Sequence, residues 1–267
     1  MKLRFPGVLW SQRELWWRLT EREVLGRYRG SVLGVAWSFF NPLAMLAVYT
    51  FVFSYIFKAR WGNLENEGPL GFAINLFAGL IVFNVIAECL TKAPGLIVAN
   101  PNYVKKVIFP LEILASVTVG SALFHALTSL VVLAVFQLIA GHSLSLSSLW
   151  LPFVWLPLLL GCLAISWILS SLGVFLRDIG QFIAVLISML MFLSPIFYPA
   201  SALPQQLRPL IAISPITQVI EQTRRVLISG NSPSLTYLIL GCILSGLAAE
   251  LGLRFFEKSK HAFADVI

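Results

Sequence analysis

The chain has 267 residues, of which 58% are hydrophobic and only 12% are charged. A soluble domain has about 25% charged residues, so this composition indicates an integral membrane protein with no room for a separate soluble catalytic domain. The formal net charge of +7 does not require a nucleic-acid partner, because basic residues at the ends of membrane spans have a topological role. The three cysteines stand singly in apolar runs, which favours packing roles over a disulfide or a metal site.

The first predicted element is an amphipathic helix over residues 8–29 that lies along the cytoplasmic surface of the membrane. Trp10, Trp17, Val24 and Tyr28 fall within about 40° of one another on a helical wheel. Tryptophan side chains anchor such helices at the level of the lipid headgroups. The pattern leaves open whether this helix only anchors the chain or also docks a partner.

Six membrane-spanning helices are predicted from the charge-free windows. A bilayer core of ~30 Å needs about 20 helical residues, so the 28-residue window at 30–57 is long enough for one span. The 64 residues from 113 to 176 carry no formal charge and suit two spans, with a turn at 141–148. The expected spans cover about 32–57, 69–90, 110–139, 150–176, 180–198 and 234–256.

Two polar segments lie between these spans. Residues 92–106 form the longest polar loop on the inner side, and residues 202–229 are expected to form short external helices before the last span. Ser214 and Pro215 suit the start of the second of these, because serine is a favoured N-cap and proline a favoured first helical residue. Cytoplasmic N- and C-termini would place 14 of the 19 Lys and Arg residues inside, as the positive-inside rule predicts.

The chain lacks the P-loop, zinc-protease and nucleophile-elbow motifs, so no catalytic or metal-ligating residues are predicted. His125 shares a helical face with Ser121 and Ser129, which raises an intramembrane hydrolase as an alternative. A histidine packed between helices is the simpler interpretation. Since the spans show no relay of buried charges, uphill transport would take its energy from another subunit.

Three stretches resemble the polysaccharide-export permeases of ABC transporters, and the O-antigen export permeases in particular. They are RYRGSVLGVAWSFFNPLAMLAVYTFVFS at 27–54, FLRDIGQFIAVLISMLMFLSPIFYP at 175–199 and SPITQVIEQTRRVLISG at 214–230. The resemblance runs in order along essentially the whole chain. It implies an all-α integral membrane protein with six transmembrane helices, an N-terminal amphipathic surface helix and short external gate helices before the last span.

The resemblance also implies a function and partners. The chain would be a homodimer in the bacterial inner (plasma) membrane, with two copies of a separate ABC ATPase that binds ATP and Mg²⁺, so that the chain itself needs no cofactor. Its substrate would be a lipid-linked polysaccharide, with O-antigen favoured. Export of capsule or teichoic acid by the same machine stays open, as does export of drugs or small lipids.

Two candidate surfaces follow from the resemblance and lie in the polar segments. In the cytoplasmic coupling region at 92–106, the residues expected to contact the ATPase are Asn102, Tyr103, Lys105 and Lys106. In the external gate helices at 202–229, the candidate residues are Gln218, Gln222, Arg224 and Arg225.

Two further sets of side chains suit a lipid-linked glycan by their chemistry. Sugar faces stack on aromatic rings, and the channel-lining candidates in the first span are Trp37, Phe40, Tyr49 and Phe53. Lipid-facing positions explain such aromatic residues as well. Arg27 and Arg29 lie at the inner headgroup level and suit a pyrophosphate, although ordinary anchoring by positive charge explains them equally well.

Overall fold

The structure is a computed structural model that describes residues 4–58, 61, 68–105, 109–202, 204–206 and 208–266. Throughout these ranges the regular secondary structure is helical. The α-helices are α1 Phe5–Ser11, α2 Arg13–Arg27, α3 Trp37–Tyr49, α4 Gly68–Lys92, α5 Pro101–Lys105, α6 Ile113–Ile139, α7 Leu151–Phe175, α8 Ile179–Leu193, α9 Arg208–Ile213, α10 Pro215–Leu227, α11 Leu235–Lys260 and α12 Phe263–Val266. Short 3₁₀ turns cover Gly34–Ala36, Ala93–Gly95, Leu146–Trp150 and Ala200–Ala202, and Thr50–Ile56 is a π-helix.

Five helical stretches in the described part of the chain are long and apolar enough to cross a membrane. They are Gly34–Ile56, Leu70–Gly95, Ile113–Ile139, Leu146–Phe175 and Leu235–Lys260. The sixth apolar helix, α8, has only 15 residues and is therefore about 22 Å long. It ends where Ser194 adopts an extended conformation (ψ 148°) before Pro195. The ring of a proline clashes with the preceding residue when that residue has helical backbone angles. The predicted all-helical membrane fold with six apolar helices is confirmed.

The N-terminal segment forms two helices instead of the single helix expected over 8–29, with a break at Gln12. α2 packs along the first half of α6, where the indole N–H of Trp16 donates to the carbonyl of Ser116 at 2.9 Å. Gly120 permits this contact, because a Cβ there would lie 2.9 Å from the side chains of both Trp16 and Thr20. The predicted apolar stripe is therefore divided, with Val24 buried against the bundle and the two tryptophans of the stripe exposed.

The interior of the bundle is formed around α4, whose membrane-crossing window is 83% buried. Glycines allow other helices to pack backbone to backbone. At Gly252 on α11 an added Cβ would lie 2.7 Å from the carbonyl oxygen of Ala164 on α7, and at Gly173 it would overlap the carbonyl of Pro94. These two positions fix α7 against both α11 and the turn that follows α4.

The two ends of the bundle carry different short helices. The "terminal end" carries α1, α2, α5, α12 and the α7–α8 corner, and the "far end" carries α9 and α10. At the terminal end, the fully buried carboxylate of Glu250 accepts from the backbone N–H of Arg4 at 2.7 Å and from the Nε of Arg254 at 2.8 Å. This contact fastens the start of α1 to the last long helix, and Lys260 similarly pairs with Glu112 at 2.9 Å.

Candidate functional site

Arg27 lies at the end of α2, where it meets two side chains from the bundle. Its Nη1 is 3.1 Å from Oε1 of Glu88 on α4 and 3.0 Å from Nδ1 of His125 on α6. The same Nδ1 is 3.0 Å from the other carboxylate oxygen of Glu88. One of the two arginines proposed for a pyrophosphate is thus already paired within the chain.

Lys92 extends this contact to a second point on α2. Its ammonium group lies 3.0 Å from Glu88 and 2.9 Å from Glu23. We refer to Glu23, Arg27, Glu88, Lys92 and His125 together as the charge cluster. The sequence did not indicate this cluster, and the spans were expected to contain no buried charge relay, because its members come from three separate helices. Its two local signatures, the i,i+4 pairs Glu23–Arg27 and Glu88–Lys92, do not show which helices meet.

The contacts of His125 bear on the hydrolase alternative. The hydroxyl groups of Thr128 and Ser129 donate to the backbone carbonyl of His125, each at 2.8 Å, and leave its ring to Arg27 and Glu88. Nucleophilic catalysis needs a serine hydroxyl within hydrogen-bond reach of the imidazole. The polar partners found for this ring among the described residues are a cation and a carboxylate, so the geometry is that of an ion-pair network.

Arg29 faces a different surface from Arg27. It lines an open groove of about 390 Å³. The groove lies on the side of α2 opposite the face that packs on α6. The remaining residues that line the groove are Arg18, Glu21, Arg22, Leu25 and Gly26. Tyr28 lies between the two arginines, with its ring edge-on to His125 at 6.2 Å, and partial burial raises its pKa above the ordinary value. The groove offers three guanidinium groups to an anion at the start of the first span.

The four channel-lining candidates fall into two pairs. The rings of Trp37 and Phe40 meet edge-on at 6.2 Å, and both side chains are exposed. Tyr49 contacts Phe53 at 6.4 Å, and Phe53 also stacks on Phe72 of α4 at 5.4 Å. Phe53 therefore belongs to an intramolecular aromatic contact within the π-helical part of the span, whereas Trp37 and Phe40 have free surface. A role in lining a channel stays a prediction for all four.

At the far end, Arg224 is a buried cation on α10. Its guanidinium donates to the backbone carbonyls of Asn75, Pro195 and Ile196 at 2.9, 2.7 and 3.2 Å. It also pairs with Glu221 at 3.1 Å and lies 4.3 Å from the ring centre of Trp61. Burial lowers its pKa to about 10, so it remains charged at neutral pH.

The four gate candidates on α10 differ in their exposure and in their partners. Gln222 is buried like Arg224, and its side-chain oxygen accepts from the backbone N–H of Ser234 at 2.9 Å. Gln218 is half-buried and donates to the carbonyl of Ala212 at 2.6 Å. Arg225 is exposed and donates to the carbonyl of Ser232 at 2.7 Å. The reason is that α10 packs on both α4 and α7, so part of its polar side is covered by the bundle.

The candidate ATPase-coupling residues lie on and after α5 at the terminal end. Asn102 and Lys105 are exposed, and Lys106 lies outside the described residues. Tyr103 stacks on Phe109 with ring centres 4.3 Å apart, and its hydroxyl accepts from Arg22 at 2.9 Å. This last contact links α5 to the groove on α2.

Sequence comparisons place the chain in a family. The profile of the ABC-2 type transporter matches residues 14–228, and the chain therefore belongs to the ABC-2 type transporter family. Members are membrane permease subunits that work with an ATPase partner subunit. The resemblance drawn from the three sequence blocks is confirmed.

Three relatives are similar over nearly their whole length. An O-antigen export system permease protein RfbA from Klebsiella pneumoniae is 26% identical over 250 residues, which are 93% of each chain. A protein of the same name from Myxococcus xanthus is 25% identical over 99% of this chain and 100% of its own. The polysialic acid transport protein KpsM of Escherichia coli is 25% identical over 90% of this chain and 92% of its own.

Proposed function

We propose that this chain is the membrane subunit of an ATP-driven exporter that moves lipid-linked polysaccharide, with O-antigen as the favoured substrate, across the bacterial inner membrane. The observation that carries the proposal is the end-to-end match to permeases named for O-antigen export. A functional unit would be a homodimer with two copies of the ATPase. The N- and C-termini would lie in the cytoplasm, which is the side that the positive-inside rule assigns to the terminal end.

The proposed entry point for the lipid headgroup is the groove on α2. Arg18, Arg22 and Arg29 line it, and Arg27 is the last residue of the same helix, on the face toward Glu88 and His125. Guanidinium groups bind phosphate oxygens in a bidentate, charge-assisted way that a lysine reproduces only in part. A pyrophosphate moving along the inner leaflet would meet these groups immediately before the first span begins.

Capsular polysaccharide is the second candidate substrate. The match to a polysialic acid transport protein over 90% of this chain favours it specifically. Both substrates are glycans on a lipid anchor, so the same headgroup site and the same aromatic positions would serve either. The two candidate substrates are therefore distinguished by which glycan the transporter exports.

The coupling to ATP hydrolysis is assigned to α5 and the residues around it. Asn102 and Lys105 are exposed on this helix, whereas Tyr103 is held in the stack with Phe109, and eight residues separate the helix from the end of α4. A short helix that is held by one aromatic stack and one hydrogen bond is suited to transmit a movement of the ATPase subunit to the permease.

The test of this function is reconstitution of the chain with its ATPase in vesicles. ATP hydrolysis should rise on addition of lipid-linked O-antigen, and a larger response to a lipid-linked capsular glycan would favour the second candidate. The double variant Arg27→Lys with Arg29→Lys should assemble normally but export the glycan more slowly. Arg177→Lys, at an exposed arginine in the α7–α8 corner, is the matched control and should leave export unchanged. Normal export by the double variant would show that both arginines serve only as topological charges.

A further inference from the structure

We propose that Glu88 competes with the lipid pyrophosphate for Arg27, so that arrival of the substrate headgroup removes one of the two ion pairs that hold α2 to α4 and loosens the end of α2. This inference rests on the proposed function, since it takes Arg27 as part of the headgroup site. It assigns Glu88, His125 and Lys92 a role in sensing whether that site is occupied.

The first support is the unequal exposure of the ion pair. The side chain of Arg27 is 51% exposed, whereas that of Glu88 is only 14% exposed. An anion can therefore reach the side chain of Arg27 while the carboxylate of Glu88 stays inside the bundle. A pyrophosphate carries more negative charge than one carboxylate and offers a bidentate geometry, so it can replace Glu88 as the partner of Arg27.

The second support is that Glu88 would not be left alone. A buried carboxylate that loses its only partner is strongly destabilised. Here Lys92 lies 3.0 Å from one oxygen of Glu88 and His125 lies 3.0 Å from the other. The exchange thus leaves every charge with a partner.

The third support is a conflict at the imidazole ring. Nδ1 of His125 lies 3.0 Å from both Arg27 and Glu88. This nitrogen must be the acceptor in a hydrogen bond with Arg27 and the donor in a hydrogen bond with Glu88. It cannot have both roles at the same time. The cluster therefore has two alternative bonding arrangements, and departure of Arg27 selects the one in which His125 donates to Glu88.

Loss of the Arg27–Glu88 ion pair would also affect the proposed coupling segment. The cluster holds α2 to α4 by two ion pairs, Arg27 with Glu88 and Lys92 with Glu23. Lys92 is the last residue of α4, and the chain continues directly into Ala93–Gly95 and then to α5. A loosening of α2 at this point acts on the segment assigned to the ATPase contact.

The first experiment measures binding of geranylgeranyl pyrophosphate to the purified transporter complex in detergent. Because linkage is reciprocal, removal of the competing charge by Glu88→Gln should tighten binding, by about fivefold for a partly exposed pair. Glu112→Gln is the matched control, since Glu112 is a carboxylate of similar exposure, 16%, paired to Lys260. This control should leave the affinity unchanged.

The second experiment reports on α2 directly. A spin label is attached at Trp17→Cys, an exposed position on α2, in a chain whose three native cysteines are replaced by alanine. Addition of geranylgeranyl pyrophosphate should increase the mobility of the label. In the Glu88→Gln background the label should already be mobile, and the probe should change it little.

The outcomes separate this inference from the proposed function. If Arg27→Lys weakens binding but Glu88→Gln leaves it unchanged or weakens it, the headgroup site stands and competition by Glu88 is refuted. If neither Arg27→Lys nor Arg29→Lys alters binding, the headgroup site itself is wrong and the competition falls with it. A label whose mobility does not respond to bound probe would refute the loosening of α2 even where the affinities agree.

Discussion

Replacement of Arg224 by alanine should destabilise the protein far more than the same change at its neighbour Arg225. Both are arginines on α10, but the first is buried at 4% exposure and the second is exposed. Arg225 makes one hydrogen bond, to the carbonyl of Ser232. Arg224 donates to three backbone carbonyls from two other segments of the chain.

The magnitude follows from what the substitution leaves behind. The carbonyls of Pro195 and Ile196 lie in a loop and lose their guanidinium donors, and a buried acceptor without a partner costs about 1–3 kcal/mol. Removal of a buried cation returns part of its desolvation cost. Glu221 adds less than about 1 kcal/mol, because its side chain is 42% exposed and such pairs are screened. The net loss is about 3 kcal/mol, against about 0.5 kcal/mol for Arg225→Ala.

Thermal unfolding of the purified protein in detergent, followed by tryptophan fluorescence, measures this difference. At about 2–4 °C per kcal/mol, Arg224→Ala should lower the midpoint by roughly 10 °C and Arg225→Ala by roughly 2 °C. Gly79→Ala should give an intermediate loss, because its methyl group would lie 2.7 Å from Nη2 of Arg224. The lowered pKa of about 10 means that Arg224 loses its proton only as the pH rises toward that value, so the difference should be constant from pH 6 to 8. Equal shifts for the two arginine variants would refute the reasoning.

Three further predictions concern the terminal end and the topology. Lys105→Glu with Lys106→Glu should uncouple ATP hydrolysis from export in vesicles without unfolding the chain, and undiminished export would move the ATPase contact elsewhere. In a chain without native cysteines, Ser201→Cys should react with an impermeant thiol reagent in intact cells and Ser259→Cys should not; the reverse pattern would invert the topology. Glu250→Gln should weaken the hold on the backbone of α1 and speed amide exchange over Phe5–Ser11, whereas unchanged exchange would show that packing alone fixes α1.

The spans were predictable because their signal is local. A charge-free run longer than about 20 residues can cross a bilayer, and the run at 113–176 divides where the sequence GHSLSLSS predicts a turn. In the structure α6 ends at Ile139, Gly141 has a φ of +82°, and a 3₁₀ turn begins at Leu146. A glycine is favoured at such a φ because it has no Cβ.

The contacts that define the candidate sites were not predictable from local patterns. Arg224 binds the carbonyl of Asn75, 149 residues away, and Arg27 meets His125 at a separation of 98 residues. A helical wheel places a residue on a face but does not state what covers that face. The sequence therefore identified Arg224 as a candidate gate residue and Arg27 as a candidate headgroup ligand, without indicating the partners that either has within the chain.

The contacts of Arg224 and the charge cluster both involve α4. Near its start, α4 receives Arg224 at the carbonyl of Asn75 and beside Gly79, and near its end it presents Glu88 to Arg27. The 13 positions between Asn75 and Glu88 correspond to about 20 Å along the axis, and most of this helix is buried. A buried helix with fixed contacts at both ends moves as a unit, since packed interiors resist local deformation. We expect the loss of the Arg27–Glu88 ion pair to act on α4 as well as on α2, and a shift of α4 would strain the Arg224 contacts that hold α10. Arg224→Ala should accordingly weaken the response of ATP hydrolysis to lipid-linked glycan while leaving the affinity for geranylgeranyl pyrophosphate unchanged.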